Sequence, residues 1–138
     1  MSRRRVVVTG LGIVSPVGIG VPDAWANILA GRSGITRITR FDASAFPSQI
    51  AAEVKDFDVS RWLSAKEARR YDTFIHYGLV AAMEAIADAG LDAYAGDKNR
   101  CGVSVGSGIG GLPMIEETHR AYLSNGLRKI SPFFIPGT

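Results

Sequence analysis

The chain has 138 residues, 46% of them apolar and 21% charged, the proportions of one soluble globular domain. A formal charge of +3 is too small for the basic stripe of a nucleic-acid binder. A single cysteine excludes an internal disulfide and any cysteine-rich metal site, and it fits a reducing cytoplasm.

Met1 to Arg5 is a basic start. Ser2-Arg3-Arg4 has a twin-arginine look, but Gly10, Gly12, Pro16, Gly18 and Gly20 cut the apolar stretch that an export signal needs. No apolar run approaches the roughly 20 residues that cross a bilayer, so no membrane contact is expected. Arg5–Gly10 (RVVVTG) predicts a buried strand, and a turn-rich loop over Gly10–Pro16 follows it. Pro22 to Ala30 predicts a helix, with Pro22 in the first turn, Asp23 at its positive end and Gly31 as its stop. Gly34 to Pro47 reads as irregular, and Gln49–Val54 as a short extended segment.

Ser64 and Glu67 have the spacing of a capping box, which predicts one helix from Ser64 to Ala89 with Gly90 after it. Its first turns are charged. From Phe74 onward the apolar residues do not keep to one stripe, and Gly78, Ala81, Ala82 and Ala85 admit another backbone. That pattern predicts a helix buried on most sides in a multilayer core. Leu91–Arg100 is a polar link, Cys101–Val105 a second strand, and Leu112–Asn125 an amphipathic helix. The tail Ile130–Thr138 is apolar and broken by Pro132 and Pro136. Bare apolar tails need cover, so the chain is expected to be the N-terminal portion of something longer.

The second strand runs into Gly106-Ser107-Gly108-Ile109-Gly110-Gly111. Such a loop lets another group lie against bare main chain. Gly106, Gly108 and Gly111 also match G-x-G-x-x-G, but no acidic residue follows at the distance a dinucleotide site requires. The residues alone leave three uses open: a nucleotide, another close-lying ligand, or a plain tight turn. Cys101 reads as a packed core thiol, with no cation placed to activate it. His76 and His119 have no metal-ligand spacing. No nucleophile–base pair is visible. Lys66, Arg69 and Arg70 share one face of the expected helix, where positive charge opposes the dipole of the first turns. That arrangement suits an acidic partner. Arg128 and Lys129 make a second basic spot.

These residues also carry a resemblance. Arg4–Gly12 (RRVVVTGLG), Ser15-Pro16-Val17-Gly18, Gly31-Arg32-Ser33-Gly34-Ile35, Phe41-Asp42, Val54-Lys55-Asp56-Phe57, the Gly106–Gly111 loop and Arg128–Phe134 (RKISPFF) together resemble the start of a bacterial 3-oxoacyl-acyl-carrier-protein synthase of type II. The resemblance covers the whole chain. The first motif is shared with type I synthases and polyketide ketosynthases; the glycine loop and the tail favour type II. It implies a thiolase-like α/β/α/β/α fold, a homodimer, and chain elongation by decarboxylative condensation with no cofactor. It makes the glycine loop a turn beside an acyl pocket bordered by Gly108 and Ile109, with Phe134 reaching in from a partner subunit. It assigns Lys66, Arg69 and Arg70, with Arg128 and Lys129, to docking of acyl carrier protein. It also places the nucleophilic cysteine, both catalytic histidines and the supporting lysine beyond Thr138. No catalytic residue is therefore expected in this chain, which is read as part of a ketoacyl synthase N-terminal domain and as inactive alone. A pairing module for a separate catalytic subunit is the alternative from another class.

Overall fold

A computed structural model of the chain describes residues 3–138, so the Ser2 end of the export-like start lies outside the described residues. The chain forms two compact units. One comprises the residues up to Phe57 together with Ala81–Tyr94; the other comprises Asp58–Val80 and Ala95–Thr138.

In the first unit, β1 (Val14–Ser15) and β2 (Gly18–Ile19) form an antiparallel hairpin in which Val14 faces Ile19 and Ser15 faces Gly18. Gly20, at φ +87°, turns the chain directly into α1 (Val21–Leu29). Pro22 and Asp23 occupy the first turn of α1 as the sequence predicts, and Gly31 follows its end at φ +64°. β3 (Ile35–Arg37) pairs antiparallel with β4 (Ile50–Ala52), so the stretch from Gly34 is less irregular than its composition suggests. The buried Glu53 carboxylate closes the loop after β3. It accepts from the Thr39 hydroxyl at 2.8 Å and from the Thr39 and Arg40 amides at 3.2–3.3 Å. These bonds, the Thr39 hydroxyl first, hold its carboxyl below the ordinary carboxylate range.

The segment Gly10–Ile13 lies along the alanine-rich second half of α3 (Thr73–Asp88). A Cβ on Gly12 would fall inside the Ala81 carbonyl oxygen and 2.8 Å from the Ala85 amide; one on Gly10 would lie 2.6 Å from the Ala89 amide. The intervening amides turn to carboxylates on the same helix. Leu11 N–H donates to Asp88 at 2.9 Å and Ile13 N–H to Glu84 at 2.9 Å. The other oxygen of Glu84 accepts from Val21 N–H at 2.7 Å. Glu84 thus binds the entering segment and, at the same time, the first amide of α1, where a negative charge is favoured by the helix dipole.

The expected strand over Arg5–Gly10 is not formed: these residues join no ladder, and Val6, Val7 and Val8 are exposed. Cys101–Val105 in the second unit behaves in the same way, with Val103 and Val105 exposed. The β-branched runs carry strand propensity, but a strand exists only where a neighbouring segment supplies its ladder of hydrogen bonds. The ladders among the described residues are the two short antiparallel pairs.

In the second unit the capping box forms as predicted. Ser64 Oγ accepts from the Glu67 amide at 3.3 Å, and the Glu67 carboxylate accepts from the Ser64 amide at 3.0 Å. The helix it starts is short. α2 (Ala65–Ala68) ends at Arg69, and α3 begins afresh at Thr73, so the single helix expected over Ser64–Ala89 is two. The restart is at Asp72, whose carbonyl accepts from the Ile75 and His76 amides, the first bonds of the new helix, while its side chain takes up the amide of Thr73. Burial of α3 also falls short of the expectation: His76 and Val80 are buried, while Met83 is exposed. α4 (Leu112–Asn125) runs as predicted and stops at Gly126, φ +73°. A 3₁₀ turn (Leu127–Lys129) and a final turn, α5 (Phe134–Gly137), complete the unit.

Replacing Gly12 with valine is expected to cost about 3 kcal/mol or more, because the α3 backbone cannot withdraw from the new Cβ. Urea denaturation checks this; a midpoint within error of the parent contradicts the packing described.

Candidate functional site

Every residue singled out above as a pocket or docking candidate lies in the second unit: Lys66, Arg69, Arg70, Gly108, Ile109, Arg128, Lys129 and Phe134. Three segments meet there, namely the turn between α2 and α3, the far end of the glycine loop, and the terminal turn.

Asp72 joins them. It is buried, and one carboxylate oxygen accepts from the Met114 amide in the first turn of α4, at 3.0 Å. The other takes the amide of Thr73. The Asp72 amide donates to the Gly137 carbonyl at 3.1 Å. One residue thus accepts amides at two helix starts and holds the terminal turn. Around it the glycines are needed for space. A Cβ on Gly111 would lie 3.0 Å from both Asp72 Oδ2 and Thr138 Cα, and one on Gly137 would lie 2.5 Å from the Arg70 carbonyl oxygen. Gly110 sits at φ +84° with the Phe74 ring 2.9 Å from its would-be Cβ. Gly106 and Gly108, by contrast, face open space. The loop therefore has a packed end and an open end, and Ile109 stands between them, 76% exposed.

The basic trio divides. Lys66 and Arg69 are exposed on and just after α2, with Arg69 Nε donating to the Ala65 carbonyl at 3.0 Å. Arg70 lies beyond the helix end and is half-buried, its guanidinium 4.8 Å from the centroid of the Phe133 ring. The expectation that all three share one helix face is corrected by the early stop of α2. The stack is a cation–π contact worth about 0.5–1 kcal/mol at such exposure. Arg128 and Lys129 are exposed on their 3₁₀ turn. Phe134 is half-buried at the start of α5 and next in sequence to the stacked ring.

Cys101 is exposed, not the core thiol the strand pattern suggested, because its run is not built into a sheet. His76 is buried and satisfied by the Ala68 carbonyl, 3.0 Å from Nε2. His119 is exposed on α4. An apolar cavity of about 210 Å³ lies in the first unit between the Leu11–Ile13 segment and α1, with Trp25 and Ile28 on its wall. None of the pocket candidates lines it. Sequence reasoning missed Asp72 by reading it as one more charge on a long helix. The available signal was an aspartate directly before Thr-Phe-Ile, a second N-cap within a helical pattern.

The family model described as beta-ketoacyl synthase, N-terminal domain, matches residues 3–138. The chain belongs to the beta-ketoacyl synthase family. Over 99% of its length it is 54% identical to the 3-oxoacyl-[acyl-carrier-protein] synthase 2 of Coxiella burnetii, and over its full length 50% identical to that of Vibrio harveyi. It spans 33% of each of those relatives, about a third of their length. Among solved structures it resembles the ishigamide ketosynthase/chain length factor, with a TM-score of 0.75 and 33% identity over 99% of this chain and 34% of that one. It also resembles a type II polyketide ketosynthase, AntDE, solved with its acyl-carrier protein, with a TM-score of 0.76 and 28% identity over 98% of this chain and 35% of that one. These neighbours are thiolase-like ketosynthases, and the mixed helices and strands of this beta-ketoacyl synthase chain take that fold class. No helix among the described residues is long and apolar enough to cross a membrane.

Two expectations follow from the capping groups. Asp72→Ala strands the Met114 amide and removes the acceptor of the Thr73 amide, a cost of about 2–3 kcal/mol; Asp72→Asn keeps one of the two acceptor oxygens and costs about half as much. Urea midpoints of the two variants check the order. Hydrogen bonds from the Ser64 hydroxyl and then the Ser64 amide hold the Glu67 carboxyl below its ordinary 4.5, aided by the charge of Arg70 and opposed by desolvation. A lowered folded-state value means that the box contributes stability above the ordinary value and loses it as pH falls through the folded one. Glu67→Gln keeps the bonds but not the titration. It is expected to flatten the fall in urea midpoint between about pH 6 and about pH 3; an unchanged slope contradicts the assignment.

Proposed function

We propose that this chain is the N-terminal portion of a type II 3-oxoacyl-acyl-carrier-protein synthase, which elongates fatty acyl chains in the cytoplasm as a homodimer. The observation that carries this reading is identity of 44–54% to relatives named 3-oxoacyl-[acyl-carrier-protein] synthase 2 across nearly the whole chain. In the complete enzyme an acyl group passes from the carrier thioester to a cysteine thiolate. Malonyl-carrier protein then loses CO2, and the resulting carbanion attacks the acyl thioester and frees the cysteine. On this reading the nucleophilic cysteine and both histidines lie in the part of the relatives that this chain does not span, so the 138-residue chain is inactive alone.

Within the chain, Gly108 and Ile109 border the acyl pocket. The open end of the loop and the exposed Ile109 side chain leave room for hydrocarbon. Phe134 lines the pocket of the partner subunit. Lys66 and Arg69, exposed on a capped turn, are suited to an acidic carrier protein, with Arg70, Arg128 and Lys129 extending the positive surface. A polyketide ketosynthase is the second reading, favoured by the structural likeness to AntDE, but identity to it is lower, at 28%.

The test is condensation of malonyl- with acyl-carrier protein. The protein expressed from its complete reading frame should turn over, and the 138-residue chain should not. Reversing Lys66 and Arg69 to glutamate should weaken carrier binding about tenfold at low salt, and less at high salt because exposed charges are screened. Turnover by the short chain, or salt-independent binding unaffected by the reversal, contradicts the proposal.

A further inference from the structure

An aromatic–cation stack ties the basic surface to the terminal turn. Arg70 carries its guanidinium 4.8 Å from the Phe133 ring centroid, while its carbonyl packs on Gly137 and the Asp72 amide bonds the Gly137 carbonyl at 3.1 Å. The backbone of the α2–α3 turn is therefore fixed to the end of α5, and the guanidinium reaches the other end of that turn. Lys66 and Arg69 make no such contact with the aromatic segment and stay exposed. A guanidinium can lay its face on a ring and still offer edge N–H donors to a carboxylate, which an ammonium cannot do.

Resting on the carrier-docking reading above, we propose that Arg70 is a positioning residue that couples occupancy of the Lys66–Arg69 surface to the seat of Phe133 and its neighbour Phe134. The ring pre-orders the guanidinium for an arriving carboxylate. By linkage, a bound carboxylate holds the guanidinium on the ring and fixes the aromatic segment. Docking at one end of the turn thereby steadies the residues proposed to wall the acyl pocket.

The experiment places 4-fluorophenylalanine at position 133 in the protein expressed from its complete reading frame and follows its fluorine resonance during titration with a bacterial holo-acyl carrier protein. The resonance should move on binding in the parent. In Arg70→Gln the carrier should still bind, within about fivefold, through Lys66 and Arg69, but the resonance should not move. Arg70→Lys keeps the charge and the stem, serves if the glutamine variant does not fold, and should also lose the shift. Phe133→Leu should weaken carrier binding about two- to fivefold, as reciprocity requires. A merely structural role for Arg70 would alter the urea midpoint but leave the carrier-induced shift in place. An equal shift in Arg70→Gln, or identical unliganded resonances with and without Arg70, overturns the coupling while leaving docking intact. Failure of the carrier to bind the parent overturns the docking reading, and the coupling with it.

Discussion

A buried carboxylate has to be satisfied by hydrogen-bond donors, and Asp72 meets that requirement by gathering amides from two different helix starts. The consequence is architectural. Because the donors belong to segments far apart in the chain, satisfying one side chain brings the α2–α3 turn and the end of the glycine loop together. The Asp72 amide adds the terminal turn through Gly137. The glycines at 111 and 137 are the complement of this arrangement, since a side chain at either would push the segments apart. Glu84 solves the same problem in the first unit, with one carboxylate shared between the Gly10–Ile13 segment and the start of α1. In both units the ordering elements are charge-assisted bonds to main-chain amides more than a large apolar core. Few large side chains are fully buried, and Val80 is one of them.

The functional candidates inherit their placement from this junction. The glycine loop is anchored at Gly110–Gly111 and open at Gly106–Gly108, a geometry suited to a ligand lying against the open main chain while the packed end supplies rigidity. The cationic residues fall into two environments. Lys66 and Arg69 are exposed to solvent, and Arg70 is half-buried with its guanidinium over an aromatic ring. Family membership rests on the match over residues 3–138, and the geometry supplies what membership does not: which candidates are mechanically connected.

Legibility varied with the range of the interactions involved. The capping box at Ser64 and Glu67, α1 after Pro22 and α4 up to Gly126 were readable because each is decided by neighbours within one helical turn. The break between Ala68 and Thr73 was not. Periodicity over Phe74–Ala89 continues smoothly from the charged turns before it and masks the local signal at Asp72, whose further bond to the Met114 amide is visible only in the folded chain. The two valine runs were misjudged for the opposite reason. Their local preference is for strand, but a strand is a property of pairs, and among the described residues nothing pairs with them.

Sequence alone was enough to establish the family resemblance, the capping box at Ser64 and Glu67, and the helices α1 and α4. All of these depend on residue identity and short spacing. Tertiary structure alone decided that the Arg70 guanidinium lies over the Phe133 ring, that Cys101 is exposed, and that Asp72 and Gly137 are fitted to each other. The physical reason is distance along the chain: a stack between residues 70 and 133, or a bond between 72 and 114, leaves no periodic trace in either segment. It exists only once the intervening backbone has been folded back to bring the two groups within a few ångströms.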